Sequence, residues 1–159
     1  MSYKKSYTSA NGYTPLCKIG ECSLKMLEFG IVKLEPGGNV TLETQDKETA
    51  FIILAGTCDF AFDNTVWQNV GGRRSVFEGK AHSVYLPRNK KIQISAGRHV
   101  KIAVAATPID IDTKPQLLGP EQVSSSIWGV KPWERDTHFI IDGRSNAKHL
   151  TLGESFVFT

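Results

Sequence analysis

Residues 71–87 read GGRRSVFEGKAHSVYLP, and this stretch indicates the fold of the whole chain. Its three glycines provide backbone freedom where the chain has to turn. Ser75 to Phe77 is predicted as a short strand between those turns. A second strand is predicted to end at Pro87, because proline cannot donate a hydrogen bond to a ladder. Short strands joined by Gly, Pro and Asn turns are typical of a small barrel or jelly roll.

The same pattern continues on both sides of that stretch. Residues 50–54 (AFIIL) form a continuous apolar run between turns, which predicts a strand buried on both faces. Between Met26 and Glu35 the apolar residues change parity beside Gly30, which predicts a bulge or a bend there. Nine or ten strands and no amphipathic helix are predicted up to Thr107. The predicted fold class is therefore all-β.

An antiparallel β-barrel is predicted from about Leu16 to Thr107. Its predicted core consists of Leu27, Phe29, Ile52, Leu54, Phe60, Val84, Leu86, Ile102 and Val104. Residues 108–122 are rich in proline and aspartate and predict an irregular connection. The last predicted strand runs from Leu150 to Phe158. Because an unpaired apolar strand invites aggregation, we expect it to pair within the chain or across a dimer contact.

Composition excludes several classes of protein. The chain has 159 residues and a net charge of +3, which suits one globular domain. Its basic residues occur in pairs and form no stripe, so no nucleic-acid partner is expected. No apolar run approaches a membrane span or a signal-peptide core, which predicts a cytoplasmic protein without a membrane partner. Three cysteines without Cys-x-x-Cys spacing argue against a disulfide framework.

Four motifs together carry a family resemblance. They are Pro36-Gly37-Gly38, Glu48-x-x-Phe51-x-x-Leu54-x-Gly56-x-Cys58-Asp59, Gly72-Arg73-x-Ser75-Val76-Phe77-x-Gly79 and Tyr85-Leu86-Pro87. In combination they resemble the amino-terminal half of the 5-deoxy-glucuronate isomerase family, bicupin enzymes of inositol catabolism related to 5-keto-4-deoxyuronate isomerase. The resemblance implies a cupin-like antiparallel barrel, or jelly roll, that is the first half of a bicupin. The implied domains are a flexible arm at 1–14, the barrel at 15–107, a linker at 108–127 and the start of a second, truncated cupin at 128–159.

The resemblance also implies a reaction, the aldose–ketose isomerisation of a deoxy-uronate at a divalent metal. The metal (Zn, Mn or Fe) is expected only in the missing second cupin, where it acts as a Lewis acid. In this barrel Glu48 fits the cupin ligand pattern. However, residues 43–46 lack the paired histidines, and the last histidine position falls at or near Ile92. A lone carboxylate does not hold such metals tightly, so no metal is expected in 1–159 and the chain alone is expected to be inactive.

Four residues are candidates for binding the small sugar-acid substrate, and no catalytic residue is assigned. They are Arg73, Glu78, His82 and Tyr85. His82 shares strand parity with Val84, which predicts that it points into the barrel. There it is either a sugar-binding or acid–base group, or a hydrogen-bonded core histidine. Arg73 or Arg74 either clamps a uronate carboxylate with a bidentate fork, or belongs to a solvated turn or an ion pair with Glu78.

Three functions are open at this point. The first is a fragment of an isomerase whose chemistry lies in further sequence. The second is a non-catalytic, metal-free cupin that binds a sugar acid or mediates assembly, for example as a homodimer. The third is a complete small enzyme that uses His82 together with Glu78 or Arg73. The reading frame beyond Thr159 distinguishes the first from the second.

Overall fold

The computed structural model describes residues 6–8, 10–21 and 23–157. These residues form thirteen β-strands and one 3₁₀ turn at Pro120–Gln122. The strands are β1 Gly12–Cys17, β2 Glu28–Leu34, β3 Asn39–Glu43, β4 Lys47–Ala55, β5 Thr57–Phe62, β6 Thr65–Gly71, β7 Ser83–Leu86, β8 Lys91–Ser95, β9 Val100–Pro108, β10 Gln116–Leu118, β11 Ser124–Trp128, β12 Arg135–Ile141 and β13 Leu152–Val157.

The strands pair into three antiparallel sheets. A six-stranded sheet has the order β1-β2-β9-β4-β7-β10, and a four-stranded sheet has the order β3-β8-β5-β6. Side chains from these two sheets meet in one core, as in a jelly roll. The third sheet has the order β11-β12-β13. The prediction of an all-β, cupin-like antiparallel jelly roll is confirmed.

The core inside the jelly roll is built from residues that alternate along each strand. Phe51 and Ile53 of β4 meet Phe60 of β5 and Ile94 of β8. The rings of Phe51 and Phe60 lie edge to face, with centroids 5.6 Å apart, which is a preferred aromatic geometry. We call this cluster the inner core. It gives the two sheets their common apolar face.

A second core covers the opposite face of the six-stranded sheet, and we call it the outer core. Ala50 and Ile52 of β4 pack there with Ile140 and Ile141 of β12 and with Leu150. Strand β4 is therefore buried on both faces, as its continuous apolar run predicted. The outer face of β4 is buried because residues after β10 fold back over the six-stranded sheet.

The predicted barrel core is correct for five residues and wrong for four. Phe60, Val84, Leu86, Ile102 and Val104 lie in the inner core. Leu27, Phe29, Ile52 and Leu54 belong to the outer core instead. Successive side chains of a strand point to opposite faces, so Ile52 and Leu54 cannot share the face of Phe51 and Ile53. Apolar residues on both faces hid this alternation in the sequence.

The bulge predicted beside Gly30 lies in the partner strand: the β1–β2 register shifts between Pro15 and Cys17, opposite Gly30 and Phe29. Strand β2 pairs with β9 in continuous register from Glu28 to Leu34, including Gly30. A Cβ atom at Gly30 would lie 2.5 Å from the ring of Tyr13 on β1. The glycine is needed because the Tyr13 ring occupies the space that a side chain would fill.

The segment Ser75 to Phe77 is a loop, so the predicted strand there is also wrong. Arg73 holds this loop by donating from Nε to the Ile53 carbonyl at 3.0 Å and from Nη1 to the Gly79 carbonyl at 3.1 Å. Its Nη1 also donates to the Val76 carbonyl at 3.5 Å, so carbonyls of this region face the guanidinium instead of a neighbouring strand. Phe77 is 77% exposed, which agrees with a loop and not with a core strand.

The two ends of the chain differ in part from the sequence prediction. Strand β1 begins at Gly12, inside the predicted arm, whose residues 1–5 and 9 lie outside the described residues. The predicted irregular connection contains β10, which pairs with β7. Strand β13 pairs with β12, which confirms pairing within the chain, although Phe158 lies outside the described part. The division into four domains stays a prediction.

One cysteine takes part in a disulfide bond, which the spacing of the cysteines did not predict. Cys17 is disulfide-bonded. Cys58 is free and lies in the inner core, where burial and then Asp59 raise the pKa of its thiol to about 12. The Cys58 thiol is therefore protonated at neutral pH and behaves as a small apolar core residue.

Candidate functional site

Arg73, a predicted carboxylate clamp, binds a carboxylate of its own chain. Its Nη1 donates to Oε2 of Glu154 on β13 at 2.8 Å, and its Nη2 donates to Oε1 of the same carboxylate. The two side chains are 4% and 12% exposed, so this bidentate pair is largely removed from water. The fork geometry is the one predicted, but it joins the loop at residues 72–79 to β13.

Glu78 lies within that loop, and His82 follows it in the chain. The Glu78 carboxylate accepts from Nε of Arg74 at 2.9 Å, and the Arg74 side chain is exposed. His82 is half-buried and precedes β7, so the strand parity used to orient it does not apply. Burial lowers the pKa of His82, and nearby Arg73 lowers it further, while Glu121 acts in the opposite direction. The imidazole is therefore neutral at pH 7.

Tyr85 belongs to a different site, in which Glu48 is the central group. The Tyr85 hydroxyl donates to Oε2 of Glu48 at 2.8 Å. The backbone N–H groups of three successive residues also point at this carboxylate. Lys148 donates to Oε2 at 3.0 Å, and His149 and Leu150 donate to Oε1 at 2.6 and 2.7 Å. We call this arrangement the Glu48 anchor.

The electrostatics of the Glu48 anchor follow from its burial and its four donors. Glu48 is fully buried on the outer face of β4, and desolvation alone would raise the pKa of its carboxyl. The hydrogen bonds from Lys148, Tyr85, His149 and Leu150 outweigh desolvation and lower this pKa. Burial, together with the adjacent carboxylate, raises the pKa of Tyr85. At neutral pH Glu48 is charged and Tyr85 is protonated.

A separate cavity of about 270 Å³ is lined by residues from both sheets of the jelly roll. We call it the mouth cavity. Along the inner face of β4 the side chains change from Ile53 and Phe51 in the core to Thr49 and Lys47 at the opening. Its lining residues are Tyr13, Lys18, Glu28, Leu42, Glu43, Thr44, Gln45, Lys47, Thr49, Phe51, Val104 and Ala106.

The residues at the mouth cavity do not fit a divalent metal. The Lys47 ammonium lies 3.8 Å from the Glu28 carboxylate, so a positive charge already stands beside this carboxylate. Glu48 is on the opposite face of β4, and both of its oxygens are occupied in the anchor. Ile92, at the last histidine position, is buried in the inner core. Tight binding requires three or four converging ligands, and the two carboxylates of the lining, Glu28 and Glu43, do not provide them.

The four predicted binding residues do not form one site. Arg73 and His82 lie near each other, Glu78 pairs on the surface, and Tyr85 is part of the Glu48 anchor. Their role in binding a substrate stays a prediction. Sequence reasoning missed Tyr13, Lys47 and Thr49 at the mouth cavity. The alternation Lys47, Thr49, Phe51, Ile53 was the available signal, because it shows one face of a strand turning from apolar to polar.

Within the part of the chain that the structure describes, no helix has the length and apolarity to cross a bilayer. The profile of the KduI/IolB family matches residues 2–159. Over 129 residues the chain is 30% identical to the 5-deoxy-glucuronate isomerase of Geobacillus kaustophilus (strain HTA426), covering 80% of this chain and 47% of the relative. The Bacillus subtilis (strain 168) protein of the same name is 25% identical over 135 residues.

A solved structure agrees with these sequence matches at the level of the fold. An IolB-like protein from Salmonella typhimurium LT2 superposes with a TM-score of 0.88 at 24% identity, covering 95% of this chain and 58% of that chain. The chain spans about half the length of the curated relatives it matches, from 47% to 50% for the two proteins above.

Proposed function

This chain belongs to the KduI/IolB family, and on that premise we propose that it is the metal-free scaffold half of a 5-deoxy-glucuronate isomerase. Curated relatives carry that isomerase name, and the chain spans about half of their length. The proposed reaction of the whole protein is the aldose–ketose isomerisation of a deoxy-uronate in inositol catabolism. Its proposed location is the cytoplasm.

The observation that carries this proposal is the Glu48 anchor. Glu48 matches the cupin ligand pattern in sequence, but its carboxylate faces away from the barrel interior and binds residues 148–150. A carboxylate with four donors has no oxygen left for a metal or a substrate proton. Other cupins use the carboxylate at this position for chemistry. Here the Glu48 carboxylate holds residues 140–150, which we call the covering segment, against the six-stranded sheet.

The proposal assigns the metal and the chemistry to a second cupin, supplied by the remaining length of the family protein. A Zn, Mn or Fe ion bound there supplies Lewis-acid activation of the sugar carbonyl. The residues described here hold the scaffold together through the Glu48 anchor and the Arg73–Glu154 pair. The sugar acid is then a partner of the whole protein and not of this barrel alone.

Purified 1–159 is expected to carry no stoichiometric divalent metal and to show no isomerase activity on 5-deoxy-glucuronate. The complete reading frame is expected to be active and chelator-sensitive if it encodes a second cupin. Elemental analysis and a coupled isomerase assay on both proteins test this. Stoichiometric metal on 1–159 that is lost in His82→Ala would place the catalytic site in this half.

A second candidate function, an assembly module, is favoured by the β11–β12 hairpin. Four large apolar side chains at its tip, Ile127, Trp128, Val130 and Trp133, are between 56% and 74% exposed. Strand β11 is an edge of its sheet among the described residues, so its outer backbone groups are open to pairing. Lys131 and Glu134 at the tip carry opposite charges that a twofold arrangement can pair. The occupant proposed for this tip is a second copy of the chain.

The double variant Trp128→Ser, Trp133→Ser is expected to weaken association of the chain. Exposed tryptophans that become buried at an interface cost 2 kcal/mol or more when truncated, so the dimer dissociation constant is expected to rise about 30-fold or more. Analytical ultracentrifugation across a concentration series measures this constant. Ile111→Ser, at another exposed apolar residue, is the control and is expected to leave it unchanged. A wild-type chain that stays monomeric at all concentrations would contradict the assembly function.

A further inference from the structure

The mouth cavity contains polar groups that the protein itself leaves without partners. Among the described residues, neither the Tyr13 hydroxyl nor the Thr49 hydroxyl has a hydrogen-bond partner. The Lys47 side chain is 15% exposed, yet its ammonium makes one long hydrogen bond, to Oε1 of Gln45 at 3.3 Å. Its carboxylate neighbours, Asp46 and Glu28, are at 3.4 and 3.8 Å. Neither hydroxyl belongs to the fully buried polar atoms without a partner, so both are accessible from the cavity and available to a ligand.

We propose that the mouth cavity binds a small, neutral, polyhydroxylated molecule, either a monosaccharide or a cyclic polyol. Each hydroxyl of such a ligand both donates and accepts. Lys47, Tyr13 and Thr49 offer donors to it, and the Glu28 carboxylate offers an acceptor. This site is separate from the proposed isomerase chemistry and does not depend on it.

The charge of the cavity selects against an anion. Lys18 and Lys47 are balanced by Glu28 and Glu43 in the lining, so the lining charges cancel. The Glu28 carboxylate would repel the carboxylate of a sugar acid that approached Lys47. The Tyr13 hydroxyl stays neutral, because burial and then the Glu28 charge raise its pKa. A neutral ligand therefore fits this lining better than a uronate does.

The shape of the cavity sets the size of the ligand. Its volume of about 270 Å³ suits one sugar-sized ring and not an oligosaccharide. Phe51, Leu42 and Val104 give the lining an apolar part, which suits the C–H face of such a ring. Mouths of β-barrels with an apolar lining and a few convergent polar groups are a common location for small-molecule sites. Gly30 contributes by giving the Tyr13 ring its place at the opening.

Titration calorimetry on purified 1–159 tests the site with a panel of neutral hexoses, pentoses and cyclic polyols. D-glucose and D-glucuronate form a matched pair within the panel, since they differ in a carboxylate. We expect saturable one-to-one binding of at least one neutral member and weaker binding of D-glucuronate than of D-glucose. No saturable binding of any neutral member up to about 10 mM overturns the proposal. Tighter binding of D-glucuronate than of every neutral member also overturns it.

Three variants link the binding to these side chains. Lys47→Met is expected to weaken binding at least about tenfold, and Tyr13→Phe and Thr49→Val severalfold each, because each removes a hydrogen-bonding group with little change of shape. Lys101→Met, at an exposed lysine outside the cavity lining, is the matched control and is expected to bind like wild type. Circular dichroism confirms that the variants are folded. Binding that none of the three conservative changes weakens would overturn the proposal.

Discussion

Replacing Glu48 with alanine is expected to lower the free energy of unfolding by about 4–5 kcal/mol, measured by urea denaturation. The change leaves the N–H groups of Lys148, His149 and Leu150 buried without an acceptor, and each unsatisfied donor costs about 1–3 kcal/mol. It also leaves a cavity beneath the covering segment. Losses of this size are rare for a single substitution and indicate a buried network.

The variant Glu48→Gln removes the negative charge of the anchor and keeps the shape of the side chain. Its amide oxygen still accepts from two of the N–H groups, so we expect about half the loss seen with alanine. Glu43→Gln, at an exposed carboxylate, is the matched control and is expected to stay within about 0.5 kcal/mol of wild type. A loss below about 1 kcal/mol for Glu48→Ala would contradict the anchor.

The anchor also predicts how stability depends on pH. Because the folded pKa of Glu48 lies below the ordinary value of about 4.3, the charged form stabilises the fold above that value. This stabilisation is lost as the pH falls through the lowered folded pKa. The difference between wild type and Glu48→Gln is therefore full above about pH 5 and shrinks in more acidic solution.

Phe60→Ala is expected to cost about 3–5 kcal/mol of the free energy of unfolding. Phe60 is fully buried in the inner core, and it packs edge to face on Phe51. The lost transfer energy of the ring and the cavity it leaves both contribute, since the two sheets cannot collapse together locally. Urea denaturation at neutral pH measures the loss.

The controls for Phe60 use a smaller change and a surface site. Phe60→Leu keeps most of the apolar volume and is expected to cost less than half as much. Val66→Ala, on the neighbouring strand but exposed, is expected to stay within about 0.5 kcal/mol. A cost below about 1 kcal/mol for Phe60→Ala would show that the inner core is not packed as described.

The all-β class and most strands could be predicted because turn residues punctuate the chain regularly. The run at residues 50–54 also indicated correctly that one strand is buried on both faces. It could not indicate which face belongs to which core, because apolar residues on both faces remove the alternation that identifies the interior. The covering segment at residues 140–150 that creates the outer core is far away in the sequence.

The candidate sites were less predictable because long-range partners decide the role of each charged residue. Arg73 was recognised as a bidentate clamp, but its carboxylate is Glu154, 81 residues later. Glu48 matched a ligand position, and the segment that occupies it comes 100 residues further on. Neither spacing follows a local periodicity. Side-chain chemistry could be read from the sequence, whereas the partner could not.

The separation between Glu48 and its partners has a consequence for synthesis on the ribosome. At about 5–20 residues per second, roughly 5–20 s pass between the emergence of β4 and that of Lys148. During this interval the apolar face that carries Ala50 and Ile52 lacks the cover that Ile140, Ile141 and Leu150 provide. Pairing that joins such distant residues is also intrinsically slow. The nascent chain therefore presents chaperones with an incompletely covered sheet face, and the outer core is completed only after residues 140–150 have been translated.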